Sequence, residues 1–129
     1  MTQIVLEHIN FTVRDAKATA EELSALFDWK IRWHGDSREG LGDSYHVGSE
    51  DTYLALYSPK EEASEPQSDN YITPRALNHI GVVVPDMDAM EQRVKAAGYT
   101  PGPHHDYEPG RRFYFFNRDG IEFEIVDYS

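Results

Sequence analysis

Two stretches of the chain share one pattern of apolar and polar positions. LEHINFTVRD begins at Leu6 and LNHIGVVVPD begins at Leu77, and each has a histidine two residues after its leucine and an aspartate at its end. Apolar residues recur at every second position after the histidine, which is typical of a β-strand with one buried face. The two histidines, His8 and His79, are 71 residues apart. A repeat of this size predicts two similar modules.

An amphipathic helix is predicted directly after each repeated strand. Asp15 and Asp86 stand where an N-cap is expected, because aspartate accepts a hydrogen bond from a free amide of the first turn. Gly98 suits the left-handed end of the second helix. The predicted buried faces consist of Ala16, Ala20, Leu23 and Phe27 in the first helix and of Met87, Met90, Val94 and Ala97 in the second.

Further strands are predicted after each helix. They are KIRWHG, DSYHVGS and TYLALYS in the first half, and RRFYFFN and IEFEIVDY, joined by the turn NRDG, in the second. The strand before RRFYFFN is less clear. We predict one α+β domain over residues 1–129, with module 1 at 4–58, a mobile linker at 59–76 and module 2 at 77–128. The two βαβββ modules are expected to form one open, curved, eight-stranded sheet with the helices on its outer face.

The histidines and one glutamate are expected on the inner face of the sheet. Side chains alternate along a strand, so His8, His79 and Glu124 point away from the helices when their apolar neighbours pack on them. A buried carboxylate is costly without a partner, and a divalent metal held by two imidazoles and one carboxylate would supply it. Core histidines, inherited symmetry and an arginine partner for the glutamate are the alternatives. The positions expected on the helix side are Ile9, Phe11, Val13, Ile80, Val82, Val84, Phe123 and Ile125.

Composition narrows the classes of partner. The formal charge is −11, from 23 acidic and 12 basic residues, and a field of this sign repels nucleic acid. Without cysteine the chain has neither disulfides nor thiolate ligands. No apolar run approaches the roughly 20 residues of a membrane span, and the N-terminus lacks a secretion signal. We therefore expect a cytoplasmic protein that acts on a small molecule, with no nucleic-acid or membrane partner.

These residues resemble the vicinal oxygen chelate superfamily, which includes glyoxalase I, extradiol dioxygenases, epimerases, fosfomycin-resistance transferases and metal-free bleomycin-binding proteins. The most specific stretch is RFYFFNRDGIEFEIV, which is similar to the family ending YF-x-DPDG-x-x-x-E-L. The resemblance covers nearly the whole chain and implies that His8, His79 and Glu124 bind one divalent metal. Iron, manganese, zinc and nickel all remain open. It also implies a homodimer, with the site within one chain or shared between two.

One position departs from part of that family. Glyoxalase I and the epimerases carry a fourth ligand on the last strand of the first half, where this chain has Ala55. The resemblance therefore implies three protein ligands, as in the dioxygenases and the fosfomycin transferases, and argues against glyoxalase I activity. A phosphonate-binding tyrosine of the transferases matches Tyr114, whereas their threonine two residues after the first histidine is Asn10 here. The weaker candidates for substrate binding are Asn10, Tyr53, Arg112 and Tyr114.

The leading hypothesis is a divalent-metal-dependent enzyme that acts on a small, oxygen-rich metabolite chelated to the metal. Dioxygenase and lyase or isomerase chemistry both remain open, and no residue is assigned a catalytic role. The alternative is a non-catalytic binding or sequestration protein of the bleomycin-resistance type.

Two tryptophans, Trp29 and Trp33, are expected in the core or at a dimer contact. The histidines without repeat partners are weaker ligand candidates: His34, His46, His104 and His105.

Overall fold

Both predicted helices are present and begin after their predicted caps. The computed structural model describes residues 3–37, 40–66 and 69–129, and in it α1 spans Ala16–Phe27 and α2 spans Met87–Ala96. The N-caps Asp15 and Asp86 each accept a hydrogen bond from an amide three residues on, at 3.0 and 3.1 Å. Ala97, expected on the buried face of α2, is instead its exposed C-cap. Within the described ranges no helix is long and apolar enough to cross a membrane.

In the part of the chain that the structure describes, eight strands form two four-stranded sheets of the same order, β1-β4-β3-β2 and β5-β8-β7-β6. In each sheet the first strand runs parallel to the last one of its module, and the other pairs are antiparallel. The prediction of two βαβββ modules is thereby confirmed. The strands are β1 His8–Thr12, β2 Lys30–Asp36, β3 Gly42–Gly48, β4 Tyr53–Pro59, β5 Ile80–Val83, β6 His105–Tyr107, β7 Gly110–Phe116 and β8 Glu122–Asp127.

The chain divides into two compact units, Met1–Ser64 and Glu65–Ser129, each with its own core. The helix-side prediction holds for most positions. It fails at Ile9, which is 43% exposed, because α1 packs mainly on β3 and β4 while β1 lies at the sheet edge. The core of the first unit includes Val13, Ala20, Leu23, Val47 and Leu56, and that of the second includes Met87, Val94, Phe113, Phe115, Phe123 and Ile125.

The end of the predicted linker is hydrogen-bonded to module 2. The Asn70 side chain donates to the Asn78 carbonyl at 2.7 Å, and the Asn78 side chain donates back to the Asn70 carbonyl at 3.4 Å. The Tyr71 hydroxyl donates to the carboxylate of Glu122 on β8. Residues 67 and 68 of this linker lie outside the described ranges. The segment just before β5 therefore belongs structurally to the second unit.

Candidate metal centre

A histidine and a glutamate lie side by side on one face of the second sheet. Gly81 of β5 pairs with Glu124 of β8, and His79 precedes Gly81 by two residues on the same face. His79 Nε2 lies 3.3 Å from Glu124 Oε1. Ligand bonds of about 2.1 Å that meet at about 90–110° place two donor atoms about 3.0–3.4 Å apart. The separation therefore fits two ligands of one cation.

The His79 ring is held by the residue before it. Its Nδ1 lies 2.6 Å from the Asn78 side-chain oxygen. The Asn78 amide nitrogen donates to the Asn70 carbonyl, so the Asn78 oxygen is the atom that faces the ring and accepts. The tautomer with its proton on Nδ1 has its Nε2 lone pair directed toward Glu124 Oε1. Two acceptors that face each other need a proton or a cation between them.

The second oxygen of Glu124 is already bonded. Arg112 donates to Oε2 at 2.9 Å and the Tyr114 hydroxyl donates to it at 2.8 Å. Burial, together with this hydrogen bond, raises the pKa of Tyr114 to about 12, so the hydroxyl remains a donor at neutral pH. The carboxylate is thus fixed through Oε2 and offers Oε1. The Arg112 Nε is buried and has no hydrogen-bond partner among the described residues.

His8 is oriented in the same way in module 1. Its Nδ1 lies 2.9 Å from Glu7 Oε1, and because an ionised carboxylate only accepts, Nδ1 is the donor. The hydrogen bond from His8, followed by one from Tyr53, lowers the pKa of Glu7 and keeps it ionised. The His8 ring stacks on Tyr53 with 4.9 Å between ring centroids. In both modules, therefore, the residue before the histidine holds Nδ1 and leaves Nε2 available.

Neither module by itself contains the complete predicted ligand set. Within the described ranges, no three histidine, cysteine, aspartate or glutamate side chains are grouped closely enough to hold a metal. Module 2 contributes His79 and Glu124 as a two-donor pair, whereas His8 belongs to module 1. The donor atoms are of the kind that divalent transition metals prefer.

Sheet register shows what replaces the glutamate in module 1. In module 2 a row across three strands contains Gly81, Glu124 and Tyr114, and the equivalent row of module 1 contains Asn10, Ala55 and His46. Ala55 thus occupies the place of Glu124, and module 1 offers no carboxylate there.

Trp33 and His46 of module 1 form a ring pair that the spacing along each strand does not predict. Trp33 is 49% exposed and therefore not a core residue, and its ring lies 4.9 Å from that of His46. Burial, and then the charges of His8 and Arg32, lower the pKa of His46. The guanidinium of Arg32 also lies 4.4 Å above the Tyr53 ring. The proximity of Trp33 to His46 follows from the register of β2 with β3, which the spacing of residues along one strand does not reveal.

Comparison with family models identifies one family, and comparison with solved structures finds proteins of the same fold. The model of the Glyoxalase/Bleomycin resistance protein/Dioxygenase superfamily matches residues 5–125. A glyoxylase/bleomycin resistance protein/dioxygenase domain from Frankia sp. EAN1pec is 22% identical with a TM-score of 0.79, over 97% of this chain and 98% of that one. A mutant of the fosfomycin resistance protein FosX from Listeria monocytogenes, complexed with Mn(II) and 1S,2S-dihydroxypropylphosphonic acid, is 19% identical with a TM-score of 0.69, over 97% and 93%. No curated protein sequence matches this chain.

Proposed function

Because the chain belongs to the glyoxalase/bleomycin resistance protein/dioxygenase superfamily, we propose that it is an enzyme dependent on one divalent metal. The ligands in this proposal are His8, His79 and Glu124. The observation that carries it is the 3.3 Å separation of His79 Nε2 and Glu124 Oε1, with the other polar atom of each group already bonded. A bound divalent cation would act there as a Lewis acid and as a template for the substrate.

The substrate in this proposal is a small molecule with adjacent oxygen atoms. Three protein ligands leave positions for two substrate oxygens, and FosX of Listeria monocytogenes is a relative described with Mn(II) and a dihydroxy phosphonate. Arg112 is a candidate contact in this proposal because its guanidinium lies beside the proposed ligand Glu124, to whose Oε2 it donates at 2.9 Å. Tyr114 and Asn10 are weaker contacts in the same proposal, and Tyr53 is a further one on the side of His8.

The reaction in this proposal is either oxygenation or a lyase or isomerase step. Ala55 is only 1% exposed and has no acidic proton, so no carboxylate at this position can move a proton between adjacent carbons of a substrate. Hemithioacetal isomerisation of the glyoxalase I type therefore fits the chain poorly. In this proposal Asn78 and Glu7 orient the histidine ligands. Arg112 and Tyr114 hold the Glu124 carboxylate in place.

A non-catalytic binding protein is the second candidate. One observation favours it, namely that neither module alone groups three metal-ligating side chains in its described residues. A protein of this kind would bind its ligand equally well after metal removal, and it would turn over no substrate.

Turnover measurements distinguish the two candidates. Metal-free protein and protein reconstituted with iron, manganese, zinc or nickel would be assayed with catechols, 2-oxo acids, fosfomycin and the methylglyoxal–glutathione hemithioacetal, with and without oxygen. We expect metal-dependent turnover in at least one of the first three groups and little or none of the hemithioacetal. Brisk hemithioacetal isomerisation would contradict the reaction class. Absence of any turnover, together with tight ligand binding by metal-free protein, would favour the binding protein.

A further inference from the structure

Module 1 contains a pocket that the predicted metal ligands do not line. It has a volume of about 460 Å³, within the range of roughly 300–1,000 Å³ of small-molecule sites. It lies on the same face of the first sheet as His8. Six of its lining residues supply its main chemistry: Asn10, Trp33, Leu41, Ser44, His46 and Tyr57.

Small side chains between aromatic ones explain why the surface of the first sheet has a pocket here. Ser44 lies opposite Gly35 on β2 and Tyr57 on β4, so a serine and a glycine separate the bulky rings. A Cβ atom added to Gly35 would lie 2.8 Å from the Trp33 indole, closer than carbon atoms can pack. Gly35 therefore allows the indole to lie flat along β2. The 49% exposure of Trp33 leaves much of its ring open to a ligand.

The lining selects a flat ring. Trp33 and His46 lie 4.9 Å apart at an angle of 45°, and aromatic ligands pack well on such faces. The Tyr57 hydroxyl already donates to the Leu41 carbonyl at 3.0 Å, so its ring, more than its hydroxyl, is available. Asn10 and Ser44 offer polar groups that can bond the edge of a ring substituent.

Charge makes an anionic ligand unfavourable. Among the described residues that line the pocket, the one residue with a full charge is Asp36, and the whole chain carries −11. No lysine or arginine is among those described lining residues. A carboxylate or phosphonate on the ring would therefore enter against the field and find no cation among those lining residues.

We infer that this pocket binds an aromatic ring, neutral or cationic, which forms the non-chelating end of the substrate. His46 connects the pocket to the proposed metal ligand, because its ring lies 6.4 Å from that of His8 with the two planes nearly parallel. The assignment to a substrate rests on the proposed function. Binding of the ring itself needs no metal.

The test uses benzamide, a flat and uncharged probe, with cyclohexanecarboxamide as its non-flat counterpart and benzoate as its anionic one. Binding is followed by ligand-observed NMR and tryptophan fluorescence on chelator-treated full-length protein. We expect benzamide to bind about 3- to 10-fold more tightly than cyclohexanecarboxamide, the factor that aromatic stacking supplies, and more tightly than benzoate because of the negative charge of benzoate. Equal affinity for the three probes, or no saturable binding of benzamide, would overturn the inference.

Variants locate the probe. Trp33→Leu removes the indole and Gly35→Ala displaces it, so both should weaken benzamide binding about 10-fold, a loss of about 1.4 kcal/mol. His34→Leu is the matched control, because His34 neighbours Trp33 on β2 but lies on the opposite face, stacked on Tyr45. Circular dichroism checks that each variant is folded. Unchanged binding in a folded Trp33→Leu protein would place the probe elsewhere and reject the inference.

Failure of the inference and failure of the proposed function remain distinguishable. If the protein binds no metal but binds benzamide through Trp33, the inference about the pocket is supported and the metalloenzyme proposal is rejected. If the protein binds metal through Glu124 but shows no preference for the flat probe, metal binding is supported and the inference of an aromatic substrate is rejected.

Discussion

At the scale of residues, each of the two repeated histidines has its Nδ1 atom hydrogen-bonded and its Nε2 atom available. Glu7 and Asn78 directly precede His8 and His79, and each accepts a hydrogen bond from Nδ1 of the ring that follows. This bond selects the tautomer whose Nε2 can bind a metal, and such partners also make the imidazole a better ligand. Each module thus contains one histidine whose orientation is fixed by the residue directly before it.

Removing the Asn78 acceptor should weaken metal binding while leaving all proposed ligands in place. We expect Asn78→Leu to lower metal affinity about 10- to 100-fold, the usual cost of losing a partner that orients a ligand. Asn78→Asp keeps an oxygen that accepts from His79 Nδ1 and should retain most of the affinity. Calorimetric titration of metal-free protein measures both. Equal affinity of the leucine and aspartate variants would show that this hydrogen bond does not orient the ligand.

At the scale of elements, the start of α2 is connected to the end of β8 through one carboxylate. Asp127, only 4% exposed, accepts from the Ser129 amide at 2.9 Å, from the Ser129 hydroxyl at 2.5 Å and from the Met87 amide at 3.1 Å. Module 1 has a parallel contact, in which the Ala16 amide at the start of α1 donates to the Ser58 hydroxyl oxygen at 3.1 Å. A helix N-terminus interacts better with a negative charge than with a neutral hydroxyl.

The Asp127 contact predicts a pH dependence of stability. The hydrogen bonds from the Ser129 hydroxyl, the Ser129 amide and the Met87 amide lower the pKa of Asp127 in the folded protein. Its contribution is therefore present above the unfolded pKa of about 3.9 and is lost as pH falls through the lower folded value. Asp127→Asn should be less stable than wild type at pH 7, and the difference should shrink below about pH 4. Urea unfolding at several pH values measures it, and a pH-independent difference would contradict this account.

Close contact between β3 and β4 predicts a position that tolerates only glycine. A Cβ atom added to Gly48 would lie 2.3 Å from the Thr52 carbonyl oxygen and 2.5 Å from the Tyr53 Cα, both rigid backbone atoms. We expect Gly48→Ala to lower the free energy of unfolding by about 1–3 kcal/mol, as overpacking does. Gly81→Ala is the matched control, because its Cβ would meet only Glu124 Oε1, at 3.7 Å. Equal stability of the two variants in urea unfolding would refute the close-contact argument.

At the scale of the whole molecule, the edges of the sheets favour association of two copies. β1 and β5 each lie at one of the two edges of their own sheet. The segment before β1 is apolar, with Val5 68% and Leu6 73% exposed in the single chain. An apolar sheet edge is a surface that proteins usually pair or cover.

We therefore predict a homodimer at micromolar concentration. Sedimentation velocity on the purified protein measures its mass in solution. Val5→Lys adds a charge at the edge and should shift the equilibrium toward monomer without loss of helix signal in circular dichroism. A wild-type protein that sediments as a monomer would contradict the prediction.

Local pattern was sufficient to predict most of the fold. The repeated strand, the caps Asp15 and Asp86 and the period of the helices all depend on neighbours within a few residues. β6 was less clear because its three residues are exposed on both faces and carry no apolar alternation. An arginine partner for Glu124 is one of the alternatives that the sequence allows, and the structure shows it. That this partner is Arg112, and that a pocket forms around Trp33, depends on the register between strands. That register is set by packing across the sheet and cannot be deduced from spacing along one strand.

Metal content tests the central claim most directly. Protein purified without chelator or added metal would be analysed for iron, manganese, nickel and zinc, as wild type and as Glu124→Gln and Glu122→Gln. Glu122 is the matched control, because it is a buried glutamate on the same strand and face, bonded to Tyr71. We predict about one divalent metal per chain in wild type and in Glu122→Gln, and a loss of most of it in Glu124→Gln. A wild-type protein that binds none of the four metals even after reconstitution, or a Glu124→Gln protein that keeps its full content, would contradict the account.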